Sequence, residues 1–187
     1  MRKLIVTEFV TLDGVMEAPG GEPTHPHAGW VFDFMSDEQE AYKLKETMDA
    51  ESLLLGRVTY EGFSKAWPKM KGEFADKMNA MPKHVASTTL SGELEWSNST
   101  VLEGNVADAV AKLKAGDGGP ILVAGSCTLV HTLIEAGLID ELRLMVFPVA
   151  IGGGLRVFPE TEAKTIFKLG GSQAFASGVI VQIYHPG

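Results

Sequence analysis

Two short stretches of this 187-residue chain combine residue types suited to gripping a phosphate, Leu55-Gly56-Arg57-Val58-Thr59 and Ala124-Gly125-Ser126-Cys127-Thr128. Each reads as a junction between an apolar strand and a helix. The first turn of a helix carries backbone N–H groups with no partner inside the helix, and these attract anions. Glycine lets a ligand approach the backbone, a hydroxyl adds a donor, and Arg57 offers a charge-assisted grip on a phosphomonoester. Taken alone, either junction also fits an ordinary capped turn of an α/β protein. Neither has the spacing of a GxGxxG dinucleotide fingerprint or a GxxxxGK[ST] P-loop, so a standard Rossmann domain is not indicated.

Carboxylates are the next candidates, because a positioned carboxyl group can give or take a proton at a site. Asp37 opens a helix and fits either a substrate-side acid or a charge complementing the helix macrodipole. Asp13 precedes Gly14 at a strand end, where Asp-Gly is also plain turn chemistry. Glu8 shares a strand face with Leu4, Val6 and Val10, so burial there requires a partner or a proton. Cys127 at a helix start reads as a packed small residue or a nucleophile. Cys127, His131 and Glu135 share a helix stripe, and His25 and His27 share a loop, but neither group makes a metal site and no metal is expected. Trp30, Trp67 and Trp96 are isolated, which fits core or rim positions. Trp30 ends the long loop that is placed to close over a ligand.

The elements that position these residues alternate between strand and helix along the whole chain, which indicates one α/β domain over residues 1–187. Strands are expected at 3–10, 52–55, 83–88, 121–124, 142–151 and 177–184. A capping box, Ser36 with Gln39, starts a helix at 37–48 with Ala41, Leu44 and Met48 facing inward. A second helix follows Gly56 with Thr59 as a possible N-cap, a third spans 106–114, and a fourth spans 126–136 and stops at Gly137. Residues 17–29 hold three prolines and three glycines and read as a long lid or binding loop.

Composition excludes several classes. The formal charge is −8 and the 16 lysines and arginines are dispersed, which disfavours nucleic acid and anionic membranes as partners. The longest apolar run, 144–151, is broken by Pro148 and is too short to span a bilayer. Thr7, Glu8, Thr11 and Asp13 interrupt any signal-peptide core. A single cysteine allows no internal disulfide, in keeping with a reducing, cytoplasmic setting.

Taken in order, TLDG at 11–14, LLLGRVTYE at 53–61, ASTTL at 86–90, ILVAGSCTLV at 121–130 and LIDELRLMVFPVAIGGGLRVF at 138–158 resemble the dihydrofolate-reductase-like superfamily. Within it, the chain is most similar to stand-alone relatives of the reductase domain of the bifunctional riboflavin-biosynthesis deaminase-reductase. The resemblance implies a three-layer α/β fold, with a mixed, mostly parallel sheet flanked by helices and NADPH lying across the strand ends. It matches Gly56, Arg57 and Thr59 to the 2'-phosphate and pyrophosphate side, and Ser87 and Thr88 to the adenosine ribose. Gly125, Ser126, Cys127, Thr128 and Leu129 match the turn holding the pyrophosphate and the nicotinamide half. Asp37 matches the pterin-binding carboxylate of dihydrofolate reductases, with Glu40 close by. Ala124 stands where the riboflavin-pathway enzymes usually carry glutamate, and Gly56–Glu61 follows the dihydrofolate reductase pattern more nearly. The implied protein is a homodimeric NADPH-dependent reductase of a small heterocycle, or a nucleotide- or flavin-binding relative without turnover.

Overall fold

The computed structural model describes residues 1–187, in which eight strands and five α-helices build a three-layer α/β domain. The strands are β1 (Leu4–Thr11), β2 (Ser52–Gly56), β3 (Lys83–Ala86), β4 (Ser99–Leu102), β5 (Ile121–Ala124), β6 (Glu141–Phe147), β7 (Phe167–Ala174) and β8 (Ile180–Pro186). The helices are α1 (Asp37–Asp49), α2 (Arg57–Ala66), α3 (Glu73–Ala80), α4 (Val106–Ala115) and α5 (Cys127–Glu135). The sheet order is β4-β3-β2-β5-β1-β6-β8-β7, parallel except for the hairpin of β7 and β8, which runs antiparallel beside β6.

The central strands are apolar on both faces because both faces are covered. Leu4, Val6, Leu54 and Val123 meet Val110 of α4 and Leu129, Val130 and Leu133 of α5. On the opposite face, Ile5, Leu53, Leu55 and Val85 meet Tyr60 of α2 and Met78 of α3. A third cluster closes the β6 and β8 end, where Trp30 and Phe9 set their rings edge-on to Phe147 at 5.3 and 5.5 Å. Trp30 is buried there, with its indole N–H donating to the Glu17 carbonyl at 2.8 Å. It therefore anchors the long loop, which fixes one wall of the molecule rather than leaving the ring free for a ligand.

Several expected boundaries shift for identifiable reasons. β6 stops at Phe147, just before Pro148, which cannot continue a sheet ladder. The last strand starts at Ile180, because residues 175–179 turn between β7 and β8, with Gly178 N–H donating to the Phe175 carbonyl. β3 ends at Ala86, where the Ser87 hydroxyl accepts from the N–H groups of Thr89 and Leu90 and turns the chain. Gly56, not Thr59, is the N-cap of α2. β4, β7 and α3 have no counterpart in the sequence-based expectation.

The largest correction concerns α1. Ser36 caps it as expected, its side chain accepting from Gln39 N–H, but Ala41 and Met48 are exposed and Leu44 only half-buried. The face turned to the sheet carries Gln39, Glu46 and Thr47 instead. Glu46 accepts from Thr7 Oγ1 at 2.9 Å and from Arg143 Nη1 at 3.1 Å, and it also pairs with Lys43. Arg143 continues to Glu141 at 2.5 Å, and Glu141 to Lys3 at 2.5 Å. Burial works to raise the Glu46 carboxyl, but Lys43, Arg143 and the Thr7 hydroxyl outweigh it and hold the group below its ordinary range. α1 is thus fastened to β1 and β6 by charge, with Tyr42 packing its ring edge-on against Phe175.

Glu46→Gln is expected to destabilise the protein by about 3 kcal/mol near neutral pH, because it leaves Lys43 and Arg143 without their buried counter-charge. Because the folded carboxyl titrates below 4.5, this contribution is present above that value and fades as the pH falls through the lowered one. Denaturant titrations of both proteins should therefore converge in acid. A constant gap across the pH range contradicts the assignment.

Candidate functional site

β5 lies between β2 and β1, and the chain leaves β5 on the opposite face of the sheet from the one it takes after β2 and β1. Such switch points open a crevice beyond the C-terminal ends of parallel strands. Both glycine-led junctions end up at this crevice and touch. Gly56 N–H donates to Ser126 Oγ at 2.8 Å, which leaves the hydroxyl proton of Ser126 free to donate onward. A Cβ on Gly56 would lie 3.1 Å from the Ser126 Cβ, and one on Gly125 would lie 3.2 Å from Thr59 Oγ1 and Cγ2. Gly125 also has φ +65°, in the left-handed region, and Ser126 follows at φ +76°. A non-glycine residue held there carries strain that surrounding contacts must offset.

This pair of left-handed residues delivers the chain directly into α5. No side chain caps α5 or α2. The N–H groups of Cys127, Thr128 and Leu129 have no acceptor within the protein, whereas Val130 N–H already bonds the Ser126 carbonyl. Unpaired amides at the positive end of a helix, at a junction where Gly56 and Gly125 let the two chain departures pack closely, make a cradle for an anion.

The remaining nominated residues are engaged to varying degrees. Arg57 is exposed at the first position of α2, with Nη1 at 3.1 Å from both carboxyl oxygens of Glu61. An exposed pair of this kind contributes only about 0.3–0.5 kcal/mol, so an incoming phosphate can recruit the guanidinium. Thr59 packs its side chain against Gly125 and acts as a spacer between the junctions. Ser87 spends its oxygen on its own turn, and Thr88 beside it is exposed.

Asp13 is fully engaged. It accepts from Thr11 Oγ1 at 2.6 Å, Ile151 N–H at 3.3 Å and Gly152 N–H at 2.8 Å, and the Thr11 bond leads the causes that hold it below the usual carboxylate range. Arg156 donates to the Asp13 carbonyl and Glu17 accepts from Leu155 N–H, so the segments 11–17 and 151–156 form one latched wall. The wall reaches α5, where Cys127 Sγ and His131 Nε2 both meet the Arg156 carbonyl, at 3.3 and 2.9 Å. Burial, then Glu8 and Glu17, push the Cys127 thiol up, which opposes a nucleophilic role. Asp37 is exposed at the start of α1, with no hydrogen-bond partner for its side chain.

Glu8 is the unusual group of the site. It is 3% exposed, its Oε2 accepts from Gly125 N–H at 3.1 Å, and its Oε1 has no partner. Burial pushes its carboxyl up to about 8 against the opposing effects of Lys43 and the Gly125 bond. The sequence signal for it was an acid in an otherwise apolar strand face. Glu46, Lys43 and Arg143 went unrecognised, although Arg143 between Leu142 and Leu144 is a similar break in an apolar strand.

The raised Glu8 carboxyl makes the native state bind one proton more than the unfolded chain between 4.5 and about 8, so stability should fall as pH rises across that window. Glu8→Gln lacks this loss. Its melting temperature relative to wild type is therefore expected to climb steadily from pH 5 to pH 8 in differential scanning calorimetry. A pH-independent difference contradicts a neutral Glu8.

The RibD C-terminal domain family matches residues 2–181. The protein YyaP of Bacillus subtilis (strain 168) is 28% identical over 194 residues, covering 98% of this chain and 95% of that protein. A protein named for riboflavin biosynthesis from Shewanella sp. PV-4 superposes with a TM-score of 0.77 at 21% identity, covering 99% of both chains. Dihydrofolate reductase from Enterococcus faecalis, complexed with NADP(H) and RAB-propyl, superposes with a TM-score of 0.63 at 17% identity, covering 99% of this chain and 96% of that one. The sheet order and the flanking helices are thus those of the dihydrofolate-reductase-like fold, and the chain belongs to the RibD C-terminal domain family.

Proposed function

We propose that this protein is an NADPH-dependent reductase that delivers a hydride to a small heterocyclic substrate such as a pterin or a pyrimidine. The observation that carries the reading is the interlocking of two glycine-led helix starts at the switch point, with three amides left unpaired at the start of α5. The cradle suits a dinucleotide diphosphate, because the amides at the start of α5 are unpaired and the start of α2 is held against them by the Gly56–Ser126 bond. In this reading the amides of Cys127, Thr128 and Leu129 and the Ser126 hydroxyl hold the diphosphate. Arg57 takes the additional 2'-phosphate of the adenosine, and Ser87 and Thr88 border its ribose. The bound nicotinamide supplies the hydride, and the protein supplies position and exclusion of water. The latched wall 11–17 and the buried Trp30 give the site a rigid side. With Asp13 engaged by backbone and hydroxyl, Asp37 is the nominated carboxylate left free to meet a substrate.

One observation favours a second reading, a binding protein of the same fold without turnover: the two carboxylates on strand β1 and its turn are committed, Asp13 to Thr11, Ile151 and Gly152, and Glu8 buried against Gly125. NADPH is the probe that separates the two. A reductase consumes the reduced-nicotinamide absorbance when offered pterins, pyrimidines or quinones, whereas a binding module only gains thermal stability with ligand.

A homodimer joined through the β7 side of the sheet completes the proposal. β7 is an edge strand with its outer backbone unpaired, and Ile166, Leu169 and Phe158 are exposed around it. Such an edge needs a cover or a partner. Sedimentation is expected to give twice the monomer mass, reverting to one on Leu169→Lys; a monomer at all concentrations contradicts this part.

Arg57→Ala is expected to weaken NADPH binding roughly tenfold, the effect of one charge-assisted bond, and to leave NADH nearly unchanged. Fluorescence titration with both cofactors checks it. Equal losses for the two contradict the assignment of Arg57 to the 2'-phosphate.

A further inference from the structure

A carboxyl group directly beneath an anion cradle is an electrostatic contradiction unless the carboxyl is neutral. Glu8 occupies that position. Its Oε2 is bonded to Gly125 N–H, the amide that opens the turn into α5, and its Oε1 is buried with no partner. An ionised carboxylate buried with an unsatisfied oxygen bears the full cost of lost hydration. A protonated one bears much less, and it adds no negative charge under the amides of Cys127, Thr128 and Leu129. We propose that Glu8 is a specificity-determining residue of the α5 cradle. With its carboxyl protonated the cradle accepts a diphosphate-bearing ligand, loss of that proton repels the ligand, and binding above neutral pH therefore takes a proton from solvent. The inference rests on the reading of the cradle as a dinucleotide diphosphate site.

The surroundings leave Glu8 as the group that responds. From α1, Lys43 and Glu46 act on it in opposite senses, and these two are already paired with each other. From α5, Cys127 faces it, with its thiol pushed up first by burial, and His131 is engaged with Cys127 and the Arg156 carbonyl. From the wall, Glu17 is bonded to Leu155 N–H, and the Arg156 guanidinium is directed to the carbonyls of Asp13 and Gly152. No cation lies within bonding distance of the Glu8 carboxyl to hold it ionised. A ligand diphosphate adds negative charge on the same side, so it shifts the Glu8 equilibrium further toward the protonated form. Linkage makes the effect reciprocal: whatever factor ionised Glu8 takes from ligand affinity, the ligand takes from Glu8 ionisation.

The test is calorimetric titration of NADPH into wild type and Glu8→Gln at about pH 7 and about pH 9.5, each in two buffers of different ionisation enthalpy, so that protons are counted directly. Wild type is expected to lose roughly tenfold in affinity at the higher pH, within the usual range of site-to-site coupling, and to take up a measurable fraction of a proton per NADPH at the higher pH but almost none at the lower. Glu8→Gln preserves the shape and the Gly125 bond and is expected to bind with no proton uptake and little change between the two pH values. Absence of uptake in wild type at the higher pH, or its persistence in Glu8→Gln, overturns the proposal while leaving the dinucleotide reading in place. No binding of NADPH at either pH overturns both. The carboxyl carbon shift of Glu8 in the unsubstituted protein follows the same proton without a mutation. Its titration midpoint is expected to rise when NADPH is present, and an unmoved midpoint counts against the proposal.

Discussion

The close approach of two strand ends governs the rest of this structure. β2 and β5 are hydrogen-bonded neighbours whose chains must leave on opposite faces of the sheet. At the point of divergence there is no space for side chains on both. Gly56 and Gly125 supply the missing volume, Thr59 and Ser126 fill what is left, and the Gly56 N–H bond to Ser126 ties the two departures together. Because Ser126 is occupied as a bridge and held left-handed, α5 begins without a side-chain cap. The open amides follow from the same packing constraint that fixes the sheet order.

Charge is handled differently on the two faces that flank this point. Under α1, Glu46 is ionised and surrounded by Lys43, Arg143 and the Thr7 hydroxyl, a network that fixes the helix to β1 and β6 at the expense of desolvating several ions. Under α5, Glu8 has one amide and nothing else, and the inexpensive solution is a proton. At the far side of the sheet, Lys83 donates to the carbonyls of Asn79, Met81 and Ser97 and lies 4.4 Å from the centre of the Trp96 ring, joining the end of α3 to the start of β3. These buried polar groups serve distinct ends: two are clamps, and one sits where function is expected.

Much of the fold was legible because strand and helix periods alternate cleanly in the core, and because Gly56 and Gly125 mark chain reversals that local chemistry makes visible. The residues in contact at the crevice were nominated in two separate stretches, and only the sheet order shows that they meet. Other features lie outside what periodicity can report. The inward face of α1 is polar, so a search for an apolar stripe selected Ala41, Leu44 and Met48 and missed Glu46. β7 is an edge strand with little burial, and Lys168, Gly170, Gly171 and Ser172 give it no strand alternation. β4 is only four residues long and α3 eight, short enough that tertiary contacts decide their form. Asp13 illustrates the opposite ambiguity. The Asp-Gly pair is turn chemistry as read, and the structure adds the partners, Ile151 and Gly152, that lie 138 and 139 residues away.

The central claim is that the starts of α2 and α5 together hold one dinucleotide. Backbone amide shifts followed by NMR during NADPH titration test it most directly, because every amide reports separately. The expected result is a single saturable set of changes that includes both Gly56–Thr59 and Gly125–Leu129 with one common affinity. Changes confined to one of the two segments, or centred elsewhere on the sheet, contradict it.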